Sequence, residues 1–350
     1  MSELNVNTIT DASGGNTASI NGATPTTDNT MGRNRIINGD MRIDQRNAGA
    51  AVTLGSGYSV DRWISEEDSD GAATAQQVSD APVGFVNSIK WTTTTADASL
   101  GATQYATIRQ HIEGYNIADL EWGTANAKTV TLSFWVRSSL TGTFGGSLRN
   151  NGGSRSYPFT YSISTADTWE QKSITVAGDT TGTWLTTTGR GLTIDFGLGV
   201  GSTYSGTAGS WSSGNYISVT GATSVIGTLN ATWYITGVQL EAGSVATSFE
   251  RRHYGQELAL CQRYYQNVVL PNGAYFYAIS SAQYRRYTVS FLQEMRSAPT
   301  CTATGVTGNS SGPTVGNVST SSTTVAADGA SGTTLVSWTS AGNVTASAEL

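Results

Sequence analysis

The chain has 350 residues, of which 19 are Lys or Arg and 25 are Asp or Glu, so its formal net charge is −6. A net negative chain with only 13% charged residues argues against a protein that neutralises nucleic-acid phosphates, and no nucleic-acid partner is expected. Its 9 Trp, 15 Tyr and 8 Phe also argue against a disordered chain.

The first 32 residues differ from the rest of the chain. They contain no aromatic residue, no Lys and no Arg, and Leu4, Val6 and Ile9 alternate with polar residues. A segment with so little apolar surface cannot build its own core. We therefore expect residues 1–32 to form an extended arm that is ordered on a partner and reaches about 100 Å at ~3.3 Å per residue.

No targeting or membrane segment is visible. The amino terminus, MSELNVNTITDASGG, lacks the basic and apolar regions of a signal peptide, and no later run approaches the roughly 20 apolar residues of a membrane span. Synthesis in a cytoplasm without membrane insertion is expected. Cys261 and Cys301 lack a CxxC partner, so we expect reduced thiols rather than a disulfide framework or a zinc site.

Residues 33–253 are predicted to form one β-rich domain. Four segments alternate apolar and polar residues with a period of two: VTLSFWVRSS (130–139), WEQKSITVAGD (169–179), LTIDFGLG (192–199) and WYITGVQLE (233–241). Short alternating strands without an intervening helical pattern favour an all-β fold of two packed antiparallel sheets.

One segment departs from this period. In GQELALCQRYY (255–265), Leu258, Cys261 and Tyr265 fall at i, i+3 and i+7, which predicts a short linking helix over 254–265. Strand periodicity then resumes, although the last fifty residues hold a single aromatic residue, Trp338. Residues 266–350 are therefore predicted to form a small β-rich C-terminal tip domain that packs against copies of itself.

Six longer motifs are spread over roughly the first 300 residues. They are MSELNVNTITDASG, GRNRIINGDMRIDQRNAG, YSVDRW, FWVRSS, WEQKSITVAGDTTGTW and GVQLEAGSVATSFERRHYGQELALCQRYYQ. Together they resemble tail-fibre and related tail proteins of tailed bacteriophages, notably those that infect cyanobacteria and other aquatic bacteria. The central portion resembles the jelly-roll β-sandwich of carbohydrate-binding modules, in which a QLE-x-G strand commonly ends the domain.

The resemblance implies a virion protein of the phage tail that assembles as a homotrimer. Residues 1–32 would attach it to a tail nozzle, a baseplate or another tail protein. The sandwich and the tip would then face the host envelope and bind a host cell-surface glycan. The residues themselves agree on three points: no export signal, an arm without a core, and a C-terminal segment poor in apolar residues.

Aromatic residues in loops are the first candidates for sugar binding, because the C–H face of a pyranose packs on an indole or phenol ring. Two Gly- and Ser-rich stretches, NNGGSRSYPF and GSTYSGTAGSWSSGNY, supply such residues. The candidates are Tyr157, Tyr204, Trp211 and Tyr216. The alternative interpretation is that these rings anchor loops over one end of the sandwich. Trp63, Trp135 and Trp233 lie on predicted strands and are interpreted as packing residues.

A second candidate surface lies in the C-terminal domain. Its residues would form a distal surface for anionic glycans, or else be buried at a subunit interface. They are Tyr275, Tyr277, Tyr284, Arg285, Arg286 and Tyr287.

No cofactor is expected, and no metal ligand is assigned. Jelly-roll carbohydrate-binding modules often hold a structural calcium ion, and Glu66, Glu67, Asp68 and Asp70 offer oxygen ligands for one. Their spacing is not that of the D-x-D-x-D-G loop. A solvated acidic turn is the preferred interpretation.

No catalytic residue is assigned, and the chain is not expected to be an enzyme. His111 and His253 are the only histidines, and neither belongs to a nucleophile motif. Asp195 and Glu241 lie on predicted strands and are the acids considered as a pair for glycoside cleavage. Arg251 and Arg252, next to acidic residues, are interpreted as ion-pair partners rather than a basic patch.

The sequence thus predicts a trimeric tail fibre or tail-tip adhesin that binds host polysaccharide without turnover. A purely structural tail adaptor or decoration protein is the alternative. A polysaccharide depolymerase is disfavoured, because no solenoid period is visible.

Overall fold

The computed structural model describes residues 32–269, 275–278, 284–304, 314–328, 334–337 and 343–350. The attachment role predicted for residues 1–32 therefore lies outside the described residues, apart from Gly32. In the described part of the chain, no helix is long and apolar enough to cross a membrane.

Fourteen described strands precede the helix. They are β1 (Val52–Thr53), β2 (Ser56–Val60), β3 (Trp63–Asp68), β4 (Ala72–Val78), β5 (Ser88–Thr95), β6 (Tyr105–Glu113), β7 (Val130–Ser138), β8 (Gly142–Asn150), β9 (Ser156–Ile163), β10 (Glu170–Val176), β11 (Arg190–Val200), β12 (Ser205–Gly206), β13 (Ser218–Val219) and β14 (Thr232–Ala242). Short 3-10 turns occur at Gly114–Asn116, Ala118–Leu120 and Ser202–Tyr204.

These strands form two six-stranded sheets. The first has the order β1-β4-β5-β14-β7-β10, and the second has the order β2-β3-β6-β11-β8-β9. Every neighbouring pair within the two sheets is antiparallel, and β12 pairs with β13 in parallel beside them. The predicted all-β fold, an antiparallel jelly-roll sandwich, is confirmed.

The core lies between the two sheets because their strands alternate apolar and polar residues. On β7 the alternate residues from Val130 to Val136 are fully buried, and on β11 those from Leu192 to Leu198 meet them. Phe134 and Phe196 cross between the sheets edge to face, with ring centroids 5.0 Å apart. Each such ring contributes about 1.5–3 kcal/mol through burial.

Two of the three strand tryptophans are core residues, as predicted. Trp63 and Trp233 have no exposed surface. Trp135 is half-buried and alternates with the core residues of β7, so it lies on the outer face of the first sheet.

The helix closes one end of the sandwich. It spans Tyr254–Gln262, three residues short of the predicted end, because Tyr265 already begins strand β15. Its buried Cys261, with Tyr264 beyond the helix, packs against Ile37 and Ile43 from the segment that precedes β1. The predicted helical stripe therefore holds at Cys261 and fails at Tyr265.

Eight described strands follow the helix. They are β15 (Tyr265–Val269), β16 (Tyr275–Ala278), β17 (Tyr284–Ser290), β18 (Thr300–Thr304), β19 (Thr314–Gly316), β20 (Ser322–Asp328), β21 (Thr334–Ser337) and β22 (Asn343–Ser347). They form three small sheets, β15-β22-β18, β16-β21 and β17-β20-β19. The buried apolar clusters among the described residues here are small: one centres on Val289, Val325 and Val344, and another on Met295, Ala346 and Ala348.

The C-terminal region contacts one end of the sandwich, here called its base, which includes Arg46, Arg62 and Thr188. Arg296 Nη1 donates a hydrogen bond to the Thr188 carbonyl at 2.7 Å. Arg46 Nη2 donates to Glu349 Oε1 at 2.8 Å, and the same carboxylate pairs with the buried Arg62. The region is therefore tied to the sandwich near its first strands and near the start of β11.

Candidate binding face on the second sheet

The outer face of the second sheet carries a set of charged and polar side chains. Successive residues of a strand point to opposite faces, so the residues between the core positions of β3, β6, β11, β8 and β9 share this outer face. The pairing register places Ile64, Arg109, Asp195, Ser147 and Pro158 in one row across it. The adjacent rows are His111, Thr193, Arg149 and Ser156 on one side, and Glu66, Thr107, Gly197, Gly145 and Thr160 on the other.

Asp195 sits between two arginines at the centre of this face. Arg149 donates from Nε to Asp195 Oδ2 at 2.7 Å and from Nη2 to Oδ1 at 3.1 Å. Arg109 Nε lies 2.9 Å from Asp195 Oδ1, and its Nη1 lies 2.7 Å from Glu66 Oε2. Asp195 has no exposed surface, so water does not compensate its charge. The two arginines compensate it by direct pairing, which holds the three side chains in one geometry.

Arg109 retains an unused hydrogen-bond donor. Its Nη2 is buried and has no hydrogen-bond partner among the described residues. A buried donor of this kind calls for an acceptor, either a water molecule or a ligand atom.

His111 and Arg190 lie at one end of the face. Arg190 Nη1 lies 3.3 Å from His111 Nε2, and His111 Nδ1 lies 2.9 Å from Thr193 Oγ1. Because a guanidinium can only donate, Nε2 accepts and the ring proton is on Nδ1. Burial, and then the positive charge of Arg190 and other arginines, holds the His111 pKa well below its usual range. His111 is therefore a neutral acceptor, not a group that titrates near neutral pH.

Two tyrosines stand at the opposite end. Tyr105 lies opposite Asp68 in the register of β6 and β3, two residue pairs beyond Glu66 and Thr107 and therefore on the same face. Tyr204 packs edge to face on Tyr105, with ring centroids 5.7 Å apart. Both rings are half-buried, so together they form an aromatic wall beside the charged residues.

The loop formed by residues 201–219 lies on part of the face. Ser147 Oγ donates to the Tyr216 carbonyl at 2.6 Å, and Arg149 Nη1 donates to Asn215 Oδ1. Strand β13 crosses directly over two glycines, since a Cβ at Gly197 would lie 2.7 Å from Ser218 Cβ and one at Gly145 would lie 2.9 Å from the Val219 nitrogen. Glycine is needed here for close approach of the loop.

Two of the four predicted sugar-binding aromatics are packed with other rings. Trp211 lies 5.3 Å from Tyr157, 5.3 Å from Trp122 and 5.4 Å from Trp184, each edge to face. Trp211 Nε1 also donates to the Ala177 carbonyl at 2.7 Å. For Tyr157 and Trp211 this geometry favours the loop-anchor interpretation.

The other two predicted aromatics lie closer to the charged residues. Tyr204 belongs to the aromatic wall, and Tyr216 follows Asn215 in the loop that rests on the face. The Tyr216 ring lies against Gly206 and Gly214, where an added Cβ would come within 2.6 and 2.7 Å of it. The structure therefore divides the four predicted residues between an aromatic cluster and the outer face of the second sheet.

The candidates in the C-terminal domain lie on strands. Tyr275 and Tyr277 belong to β16, and Tyr284, Arg285 and Arg286 belong to β17, as does Tyr287. Their backbones are described, whereas their side chains lie outside the described residues. The predicted distal surface therefore stays a prediction.

The carboxylates of the acidic turn do not converge on one point. Glu66 pairs with Arg109, while Glu67 Oε1 accepts a hydrogen bond from the Ser69 backbone nitrogen at 2.7 Å. Within the described ranges, no three acidic, His or Cys side chains are arranged to hold a metal ion together.

The two acids considered for glycoside cleavage are not brought together as a pair. Asp195 belongs to β11 in the second sheet, and Glu241 belongs to β14 in the first. Glu241 Oε1 instead accepts hydrogen bonds from Gln239 Nε2 and the Thr247 nitrogen, both at 2.8 Å.

A cavity of about 260 Å³ lies away from the face, between the segment that begins at Gly32, the turn at Tyr115 and the helix. Arg252 in its wall lies 3.3 Å from Glu250 and 3.4 Å from Glu257, which agrees with the predicted ion pairs. Arg251 instead lies over the ring of Phe85, 4.8 Å from its centroid.

Comparison with known proteins gives structural similarities only. No protein-family model matches the chain, and no curated protein matches it. A putative sugar-binding protein of Bacteroides thetaiotaomicron matches 60% of this chain and 100% of its own, with 10% identity and a TM-score of 0.36. A family 11 carbohydrate-binding module of Clostridium thermocellum, in complex with a mixed-linked tetrasaccharide, matches 56% of this chain and 98% of its own, with 13% identity and a TM-score of 0.28.

A third similarity is to a phage protein. The enzymatically active domain of tailspike protein 4 from bacteriophage CBA120 matches 60% of this chain but only 21% of its own, with 14% identity and a TM-score of 0.34. The similar region is therefore about a fifth of that tailspike chain. TM-scores in this range do not indicate a shared function.

The arginines of the face were not predicted from the sequence. A partial signal was present, because Tyr105, Thr107, Arg109, His111 and Glu113 alternate along β6 with Ala106, Ile108, Gln110 and Ile112, three of which are apolar. That pattern places a charged stripe on a strand face. Only the strand order brings the stripe next to Asp195 and Arg149.

Proposed function

We propose that this chain is a tail fibre or tail-tip adhesin of a tailed bacteriophage, and that it holds host surface polysaccharide on the outer face of its second sheet. The observation that carries the proposal is the Arg109–Asp195–Arg149 arrangement beside the wall of Tyr105 and Tyr204. Saccharides offer hydroxyl groups to charged planar side chains and C–H faces to aromatic rings. The phage assignment rests on the motifs in the sequence.

The fixed geometry of the charged residues supports binding. Asp195, Arg109 and Arg149 are ordered by one another before any ligand arrives, so binding does not have to immobilise them. The unused Arg109 Nη2 and the exposed Asn215 add polar groups close to this arrangement. A single such site is expected to be weak, and three coupled sites in a homotrimer would raise the apparent affinity by about 10²–10⁴.

The test is a binding screen of the full chain against an array of bacterial surface oligosaccharides. At least one member should bind, and Tyr204→Ala should lower the affinity for it by about tenfold through loss of ring contact. Tyr115→Ala is the matched control, because Tyr115 is 59% exposed and lies in the turn after β6. Absence of binding to every member, or equal loss in both variants, would refute the proposed site.

Assembly is tested separately, on the full chain and on a chain that begins at residue 33. Light scattering should give a trimer for the full chain. A monodisperse monomer would contradict the trimer and favour a decoration role. Removal of residues 266–350 is unsuitable for this purpose, because it would also remove the Glu349 carboxylate from Arg62 and Arg46.

A purely structural adaptor is the second candidate, and the packed Trp211 cluster favours it. If the exposed rings serve assembly alone, purified full-length protein should not adhere to host cells, although particles still incorporate it. Binding without turnover is part of our proposal, supported by the separation of Asp195 and Glu241 on different sheets. Release of reducing ends from host polysaccharide would contradict it.

A further inference from the structure

Arg190 differs from the other two arginines of the face in having no carboxylate partner. Its Nε donates to Asn151 Oδ1 at 3.1 Å, and its Nη1 contacts the neutral His111 ring. No described residue accepts a hydrogen bond from its Nη2. Arg109 and Arg149, by contrast, both pair with Asp195.

The nearest acid in the register does not compensate Arg190. Glu113 is its cross-strand partner, yet the Glu113 carboxylate accepts from Arg263 at 2.7 and 3.0 Å and from the Tyr264 hydroxyl at 2.6 Å. Those three donors occupy both carboxylate oxygens. Arg190 is therefore left with its positive charge at the half-exposed end of the face.

Charge is distributed unevenly along the face. Burial, and then the charges of Arg149 and Arg109, lower the pKa of Arg190, while Asp195 and Glu66 offset only part of that effect. The acidic side chains Glu66 and Asp68 lie toward the other end, beside Tyr105. The face therefore has a positive end at Arg190, a centre in which opposite charges are paired, and a second end that is acidic and aromatic.

We propose that the face takes an acidic saccharide, with the carboxylate or phosphate of one sugar residue bound by Arg190. This inference rests on the proposed function and names the ligand class of the same site. The planar fork of a guanidinium matches two oxygens of either anion, and Nη2 is free to donate. Asn151 and Asn215, both exposed, border this end and supply donors for neighbouring hydroxyl groups.

The alternative ligand class is a neutral glycan held by the centre and the aromatic wall. Such a ligand would leave Arg190 solvated and would respond little to salt. An acidic ligand would instead lose affinity as salt rises, because mobile ions screen an accessible ion pair. Salt dependence and the Arg190 side chain therefore separate the two classes.

The experiment uses the full chain and three sets of oligosaccharide probes: uronate-containing, phosphate-containing and neutral sugars of similar length. Binding is measured at 50 and 500 mM salt for the wild type, Arg190→Gln and Arg137→Gln. Arg137 is the control, because it lies on the outer face of the first sheet and pairs there with Asp80 at 2.6 Å. Thermal unfolding of each variant checks that the fold is kept.

We expect the tightest probe to be acidic and to lose about tenfold or more in affinity at the higher salt concentration. Arg190→Gln should weaken the acidic probes by about ten- to a hundredfold and leave neutral probes unchanged. The acidic set that binds, uronate or phosphate, identifies the anion.

Neutral probes that bind as tightly as acidic ones would overturn this inference and leave the proposed function standing. An unchanged affinity of Arg190→Gln for acidic probes would overturn it as well. Failure of all three probe sets would instead reject the proposed function itself.

Discussion

Arg190 and His111 share a hydrogen bond at 3.3 Å that fixes His111 as a neutral ring, with its proton on Nδ1. The folded-state pKa of His111 lies well below its usual value of about 6.5, first because of burial and then because of Arg190. Below pH 6.5 the unfolded chain therefore binds a proton that the folded chain does not, and stability falls as the pH falls.

The prediction is that His111→Gln reduces the loss of stability between pH 6.5 and pH 5. Urea unfolding midpoints at several pH values measure this. His253→Gln serves as the control, since His253 is exposed before the helix. An unaltered pH slope in His111→Gln would show that another group causes the acid sensitivity.

Asp61 should change the pH dependence of stability in the direction opposite to that of His111. Burial raises its pKa to about 6, and Arg46 and Gln45 offset only part of that effect. The folded chain holds this proton more tightly than the unfolded chain, so the contribution is full below about pH 3.8 and lost as the pH rises through 6. Asp61→Asn should be more stable than the wild type at pH 7 by up to about 3 kcal/mol, with no gain at pH 3.5. A gain that is the same at both pH values would contradict the assignment.

Glu349 is predicted to be essential for the base of the sandwich. Arg62 is 2% exposed, lies 3.6 Å from the Tyr264 ring centroid and donates to the His111 carbonyl at 2.5 Å. Glu349→Gln removes the carboxylate and leaves this buried cation unpaired, at a cost of about 3–5 kcal/mol. Asp80→Asn, which removes a partner of the more exposed Arg137, should stay within about 0.5 kcal/mol. Chemical denaturation of the two variants gives the comparison.

The close approach of the loop to the outer face of the second sheet gives a fourth prediction. Gly197→Ala places a Cβ 2.7 Å from Ser218 Cβ, so the loop must shift, at a cost of about 1–3 kcal/mol. Gly55→Ala is the matched control, because nothing lies within 4 Å of the added Cβ there. If the two variants have equal stability, the loop does not rest on Gly197 in solution.

Substitutions of Trp211 and Tyr204 distinguish a packing role from contact with the ligand. Because Trp211 fills a cluster with Trp122, Trp184 and Tyr157, Trp211→Ala should lower the free energy of unfolding by about 2–4 kcal/mol. Tyr204→Ala should lower glycan affinity with a smaller effect on stability. Thermal unfolding and glycan titration of both variants test this. Loss of affinity without loss of stability in Trp211→Ala would restore Trp211 as a binding residue.

Alternation in the sequence predicted the strands and much of the core. On β7 and β11 every apolar position predicted to share a face is buried, because period two alone decides which side a residue takes. The helix end was misplaced by three residues, because Tyr265 fits both a helical stripe and a strand that pairs with Ser347. A pairing partner 82 residues away leaves no local signal.

The charged residues on the outer face of the second sheet likewise could not be brought together from local sequence. Arg109 and Arg149 each looked like an ordinary polar position, and Asp195 was considered only as one of two acids for glycoside cleavage. Their juxtaposition depends on β11 lying between β6 and β8, which is set by sheet order rather than by any motif. The loop aromatics were recognisable as a group, but whether a ring packs or is displayed depends on neighbours such as Trp122 and Trp184.

The pairing of Arg62 with Glu349 also sets an order of events during synthesis. The two residues are 287 positions apart, so at about 5–20 residues per second Glu349 is made roughly 15–60 s after Arg62. Throughout that interval, the strands that surround Arg62 lack the anion that balances it. The base of the sandwich therefore reaches full stability only after Glu349 has been synthesised.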